Sequence, residues 1–283
     1  MRIQHVTVNK LFGIFDHSIP LNLDDRITII YGPNGFGKTF TLVLVNELLN
    51  PSRESYDRFA RIPFDEISVD FDDASTLRLK KTVRGDIHEL IFEFSQPETA
   101  VKQFRLSDEQ GEKFREPQWL TDLKKSIYAR FISTERLRQF TDAKWRDMSQ
   151  AVEKHALDER EKIDLLIRII NSMFLHKQME IDKRDGFVVR TSSGDVLPPD
   201  ILSSGEKHLV VLLYELLFNV TPDSLILIDE PELSLHIVWQ QEFLVKLAEI
   251  IELAEFDVLV ATHSPQIIHD RWDLAVELKD PRA

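Results

Sequence analysis

One short segment constrains this chain more than any other: Gly32-Pro33-Asn34-Gly35-Phe36-Gly37-Lys38-Thr39, which fits the pattern GxxxxGK[ST]. Before it, Arg26 to Tyr31 reads as a buried strand. After it, Thr41 to Leu49 is apolar at helical spacing, and Pro51 ends the run. A strand that curls through glycines into a helix leaves several backbone N–H groups pointing inward. The positive end of the helix lies behind them, so the loop is a seat for phosphate oxygens. In that geometry Lys38 reaches the β- and γ-phosphates of ATP and the Thr39 hydroxyl ligates Mg²⁺. Gly32, Pro33, Asn34, Gly35, Phe36, Gly37 and Phe40 are the expected remaining contacts.

A second segment supplies carboxylates. Leu225-Ile226-Leu227-Ile228 is an apolar run that ends in Asp229-Glu230. Such a run belongs in the middle of a sheet, so the acids emerge at the carboxyl end of the strand, where open α/β sheets bind ligands. Asp229 is the expected metal ligand beside Thr39. Glu230, one residue on, is positioned to polarise an attacking water as general base. Leu202-Ser203-Ser204-Gly205-Glu206-Lys207 opens a helix whose small residues leave N–H groups uncovered, a second anion seat. Val258-Leu259-Val260-Ala261 is another buried strand, and it delivers His263 where the imidazole can meet a γ-phosphate or a water.

Strands alternating with helices predict an α/β P-loop NTPase fold with a mostly parallel sheet. Asp65 to Phe71, Thr76 to Val83 and His88 to Phe94 read as an antiparallel β subdomain. Leu157 to His176 reads as one long amphipathic helix. The expected ATPase core comprises residues 1–52, 127–136 and 195–283. Residues 53–126 and 137–194 are expected to form an inserted β-meander and a mixed or helical lid, with Ile127 to Ser133 returning to the main sheet.

With these four motifs in order, the chain resembles the ABC-type ATPase heads of the SMC, RecF and OLD group. More narrowly, it is similar to bacterial stand-alone ATPases called AAA-21 or AAA-15. The resemblance implies two heads face to face with ATP between them. Ser203 and Gly205 of one copy then contact the γ-phosphate held by Lys38 of the other. It also implies that Glu230 is the catalytic base, that His263 is the switch histidine, and that residues 234–236 form a loop across the interface. Ser204 and Glu206 stand where the transporter form of the signature has Gly and Gln, a change common among SMC-like and OLD-like relatives. In Phe131-Ile132-Ser133-Thr134-Glu135-Arg136-Leu137, Glu135 occupies the neighbourhood where such proteins often carry a glutamine near Mg²⁺. No ligand role is assigned to it. Arg136 reads equally as a phosphate contact and as a solvated side chain.

Composition narrows what the ATPase is for. Cysteine is absent, which excludes a disulfide framework, a thiolate nucleophile and a Cys-ligated zinc site. No apolar stretch is long enough to span a bilayer, so a cytoplasmic protein is the expectation. The net charge of −13 opposes unaided binding to nucleic acid. Lys113 to Arg146 runs against that balance, with nine Lys and Arg and four acids. Three readings remain. The first is an ATP-driven switch that gates a separate effector, a nuclease or toxin, as in anti-phage defence systems of the related stand-alone ATPases. The sequence runs only 20 residues past His263, so the nuclease domain that follows the ATPase in OLD proteins is expected on another chain. The second is a RecF-like DNA-binding clamp for repair. The third, a transporter's nucleotide-binding subunit, is disfavoured by the meander insert.

Overall fold

The computed structural model describes the chain apart from residues 85–86, 108–115, 134–141, 156–158, 183–185, 199–200 and 280–283. Its strands, in chain order, are β1 (Ile3–Leu11), β2 (Phe15–Pro20), β3 (Ile27–Tyr31), β4 (Glu66–Phe71), β5 (Thr76–Arg84), β6 (Ile87–Ser95) and β7 (Lys102–Ser107). They continue with β8 (Ala129–Ser133), β9 (Lys177–Asp182), β10 (Gly186–Thr191), β11 (Val196–Leu197), β12 (Leu225–Asp229), β13 (Asp257–Thr262) and β14 (Ala275–Glu277). The helices are α1 (Lys38–Leu49), α2 (Arg53–Arg61), α3 (Gln118–Ser126) and α4 (Asp142–His155). After them come α5 (Arg160–Met173), α6 (Ser204–Phe218), α7 (Ile237–Ala254) and the single turn α8 (Pro265–Ile268).

The chain forms two compact units. The first contains residues 1–132, 223–230 and 256–283, and it carries two sheets. One has the order β14-β3-β13-β12-β8. Its inner strands are parallel, with Asp229 level with Ala261 and Thr262 level with Tyr31. Strands buried on both faces are apolar along most of their length. β13 is buried along its whole length, and Ile27 to Ile30 and Leu225 to Ile228 are buried in its two neighbours. Helix α1 packs on β12 and β13, and Thr41, Leu44, Val45 and Leu48 are among its buried residues. The expected return of the strand after Ile127 is borne out, since β8 takes the sheet edge beside β12.

The other sheet is antiparallel, with the order β2-β1-β4-β5-β6-β7. The meander expected from the sequence is present as β4, β5 and β6. It hydrogen-bonds through β4 to β1, with Val6 opposite Val69, so it is continuous with the amino-terminal strands. Alternation does the sorting along β2, where Phe15, His17 and Ile19 face inward and Asp16, Ser18 and Pro20 face out. Helix α2 is mostly polar and is held at both ends. Ser52 and Ser55 form a capping box at its start. At its end the Lys81 Nζ donates to the carbonyls of Phe59 at 2.9 Å, Ala60 at 2.7 Å and Ile62 at 2.9 Å. The buried Glu47 of α1 accepts from Ser55 and Arg58 of α2, tying the two helices together.

The second unit contains residues 133–222 and 231–255. Helices α5, α6 and α7 pack against one another, and β9, β10 and β11 form a small antiparallel sheet. In α6, Leu209 to Leu213, Leu216 and Leu217 are all buried. A helix that is apolar all round has no solvent face, and each such side chain stabilises the fold by about 1.5–3 kcal/mol. The long helix expected over Leu157 to His176 is shorter than that. α5 ends at Met173, and His176 adopts a left-handed backbone (φ 63°) that turns the chain into β9.

Candidate functional site

The parallel register of the first unit decides where the chemistry sits. Because Thr262 lies level with Tyr31 and Asp229 level with Ala261, three chain segments leave the sheet at the same edge. They are the glycine loop after β3, Glu230 after β12 and His263 after β13. This is the carboxyl edge, as expected for a ligand site in such a sheet.

Within the loop, Gly35 and Gly37 both have positive φ, 89° and 80°. At Gly37 a β-carbon would also lie 2.5 Å from Leu11 Cδ2, so a side chain there is opposed by backbone and by packing. Gly37 caps α1, and Lys38 begins it. The Lys38 side chain folds back over the loop, and its Nζ donates to the carbonyls of Gly32 at 2.6 Å and Pro33 at 3.0 Å. Only 4% of this lysine is exposed, so its amine is held inside the loop by hydrogen bonds to carbonyl oxygens. Asn34 stands at the exposed tip. Phe36 packs its ring near Phe15 at 5.5 Å, and Phe40, 42% exposed, meets Phe12 edge-on at 5.0 Å.

The Thr39 hydroxyl donates toward both carboxylate oxygens of Asp229, 3.0 Å from each. A hydroxyl and a carboxylate held in contact at the foot of a phosphate seat are hard oxygen donors, and such a pair fits Mg²⁺, which keeps few protein ligands and takes the rest from phosphates and water. Among the described residues no group of three or more His, Asp or Glu side chains gathers as a metal cage.

Glu230 follows directly, with φ 46°, a left-handed conformation uncommon for a residue with a β-carbon. Its N–H donates to the Ala261 carbonyl at 2.8 Å, which keeps the kinked residue on the sheet. His263 Nδ1 lies 3.6 Å from Glu230 Oε1, so a candidate base and a candidate phosphate sensor are neighbours. Beyond His263, the Ser264 hydroxyl caps the short helix α8 by accepting from Gln266 N–H.

Sequence reasoning missed His17. This histidine is only 3% exposed on β2, and its Nε2 lies 2.9 Å from the Phe36 carbonyl, which it serves as donor. Burial pushes the imidazole below its ordinary pKa, and the Phe36 carbonyl and Asp16 pull against that. A neutral imidazole therefore pins the glycine loop to the antiparallel sheet. The available signal was its place among the inward residues of an alternating strand.

Ser203, Ser204, Gly205 and Glu206 lie in the second unit, at the start of α6. Ser203 is the N-cap and forms a capping box with Glu206. Ser203 N–H and Oγ donate to Glu206 Oε2 at 2.7 and 2.9 Å, and Glu206 N–H donates back to Ser203 Oγ at 3.3 Å. Lys177 Nζ, another residue the sequence did not single out, donates to the same Glu206 Oε2 at 2.9 Å. Ser203, Ser204, Gly205 and Glu206 line a cavity of about 770 Å³, whose other walls include His208, His236 and Trp239. Glu135 and Arg136 lie outside the described residues.

With this geometry in place, kinship can be read. A family model described as “AAA domain, putative AbiEii toxin, Type IV TA system” (AAA_21) matches residues 27–269. The chain belongs to this family. Septu protein PtuA of Bacillus thuringiensis is 22% identical over 310 residues, spanning 94% of this chain and 72% of that protein. The “Retron Ec83 probable ATPase” of Escherichia coli is 35% identical over 79 residues, which is 24% of this chain and 14% of its own length. Among solved structures, the SMC head domain from Thermotoga maritima superposes with a TM-score of 0.51 at 16% identity, covering 97% of this chain and 92% of that one. An SmcHead bound to the C-winged helix domain of ScpA gives 0.53 at 15% identity, covering 99% and 95%. The expected kinship with ABC-type ATPases of the SMC, RecF and OLD group is borne out, and so is the P-loop ATPase-head fold. Among the described residues no helix is long and apolar enough to cross a membrane.

Proposed function

We propose that the protein binds ATP with Mg²⁺ and hydrolyses it as a two-copy switch that gates a separate effector in anti-phage defence. One observation carries this reading: Lys38, Thr39, Asp229, Glu230 and His263 converge on a single sheet edge in the first unit. Similarity to a Septu protein and to a retron ATPase supports the setting.

In this reading the N–H groups between Gly32 and Thr39 cradle the β-phosphate, and Lys38 neutralises the β- and γ-phosphate oxygens. Thr39 and Asp229 would hold Mg²⁺, which would supply charge neutralisation to the transferring phosphoryl group. Glu230 takes the proton of the attacking water as general base. His263 sits beside Glu230 and responds to the γ-phosphate. Ser203 and Gly205 of a second copy complete the site, and their arrival marks the ATP-bound state for the effector, a nuclease or toxin.

The test is Glu230→Gln. The variant should bind ATP, hydrolyse it roughly 10²–10⁴-fold more slowly, and accumulate as dimers in the presence of ATP. Sedimentation at saturating ATP that shows only monomers of Glu230→Gln overturns the two-copy reading.

A further inference from the structure

Lys177 opens β9, and its ammonium is drawn to a carboxylate at an unusual place. Glu206 sits in the first turn of α6, beside the small residues that the two-copy reading presents to the γ-phosphate of another molecule. Its Oε2 collects three donors: Ser203 N–H, the Ser203 hydroxyl and Lys177 Nζ. The side chains of Lys177 and Glu206 are 19% and 10% exposed, so water screens the pair only in part. Burial pushes the Glu206 carboxyl up, but the bonds from Lys177 and Ser203 outweigh it and leave the group below the usual carboxylate range. Glu206 is therefore an anion on the wall of the cavity.

An anion there poses two problems for a docking triphosphate. It repels the phosphate, and it holds the Ser203 hydroxyl, the very donor that a phosphate needs. Lys177 addresses both. Its charge cancels that of Glu206, so the positive end of α6 is not offset by an uncompensated carboxylate. It also keeps a strong bond on Oε2 once the Ser203 hydroxyl has turned away.

We propose that Lys177 is a charge-compensating positioning residue, which lets the Ser203 hydroxyl leave Glu206 for the γ-phosphate carried by a second copy. The proposal rests on the two-copy reading and adds to it a residue outside the signature segment. It makes Glu206 the reason that Lys177 is needed, and this separates it from a lysine that touches phosphate itself.

The experiment measures ATP-dependent dimerisation by sedimentation across protein concentration, in the Glu230→Gln background, together with ATP affinity and thermal melting of each variant. Lys177→Gln should weaken dimerisation roughly tenfold, the scale of one charge-assisted hydrogen bond, while the ATP affinity of separate copies is unchanged. Adding Glu206→Gln should restore dimerisation to within about threefold, since Gln at this position still completes a capping box. Lys177→Arg should behave as the parent does. A double variant as weak as Lys177→Gln alone would place Lys177 on the phosphate and overturn the proposal. So would undiminished dimerisation of Lys177→Gln in a parent that dimerises. A parent that stays monomeric at saturating ATP removes the two-copy reading itself, and this proposal falls with it.

Discussion

The hydroxyl of Thr39 lies 3.0 Å from each carboxylate oxygen of Asp229, although 190 residues separate the two in the chain. One belongs to the helix after the glycine loop and the other to the end of β12, and the packing of α1 on that strand brings them together. This contact makes the proposed metal role of the pair testable apart from turnover. Thr39→Val keeps the shape and removes the hydroxyl. ATP affinity in the presence of Mg²⁺ should fall about 10–100-fold, while affinity in EDTA stays close to that of the unaltered protein. Equal losses with and without Mg²⁺, in calorimetric titrations, would remove Thr39 from the metal site.

His17 predicts a pH dependence with a definite sign. Its pKa is lowered in the folded protein, chiefly by burial. On acidification the unfolded chain therefore takes up a proton before the folded one does. Stability from this group is complete above its ordinary value of 6.5 and is lost as pH falls below it. His17→Asn should flatten the stability-versus-pH curve on that acidic side. At neutral pH it should cost about 1 kcal/mol, the scale of one hydrogen bond. Urea titrations at several pH values measure both, and parallel acid limbs in the two proteins would refute the assignment.

Lys81 closes the carboxyl end of α2 with three carbonyl contacts. Burial also pushes its ammonium below the ordinary value. The net stabilisation is therefore less than three charge-assisted bonds would give alone. Lys81→Met keeps most of the stem and removes the donor. It should lower stability by about 1–2 kcal/mol, read as a shift in the urea midpoint. A midpoint that does not move would show that water replaces the ammonium at no cost.

The glycine loop, the Asp229-Glu230 pair and His263 were legible in the sequence because each is a short string whose meaning is set by its immediate neighbours. The strands β3, β12 and β13 were legible for the same reason, as runs buried on both faces. What escaped notice depends on residues distant in the chain. Helix α2 is polar along most of its length and exists through its capping box, the Glu47 contacts and Lys81. Strand β7 reads Lys-Gln-Phe-Arg-Leu-Ser, with only Phe104 and Leu106 to mark an inner face. Helix α5 stops at Met173, short of the expected end at His176, and Leu175, 76% exposed, shows why an apolar residue misled the helical reading. His17 and Lys177 each act on an atom that sequence neighbours do not reveal, the Phe36 carbonyl and the Glu206 carboxylate.

The bond from His17 to the Phe36 carbonyl has one more consequence. The glycine loop hangs like a hammock, with one end fixed to the parallel sheet by β3 and its middle hooked to an outer strand of the antiparallel sheet. In the proposed reading, a partner that grips this outer strand therefore bears directly on the loop that would hold the triphosphate.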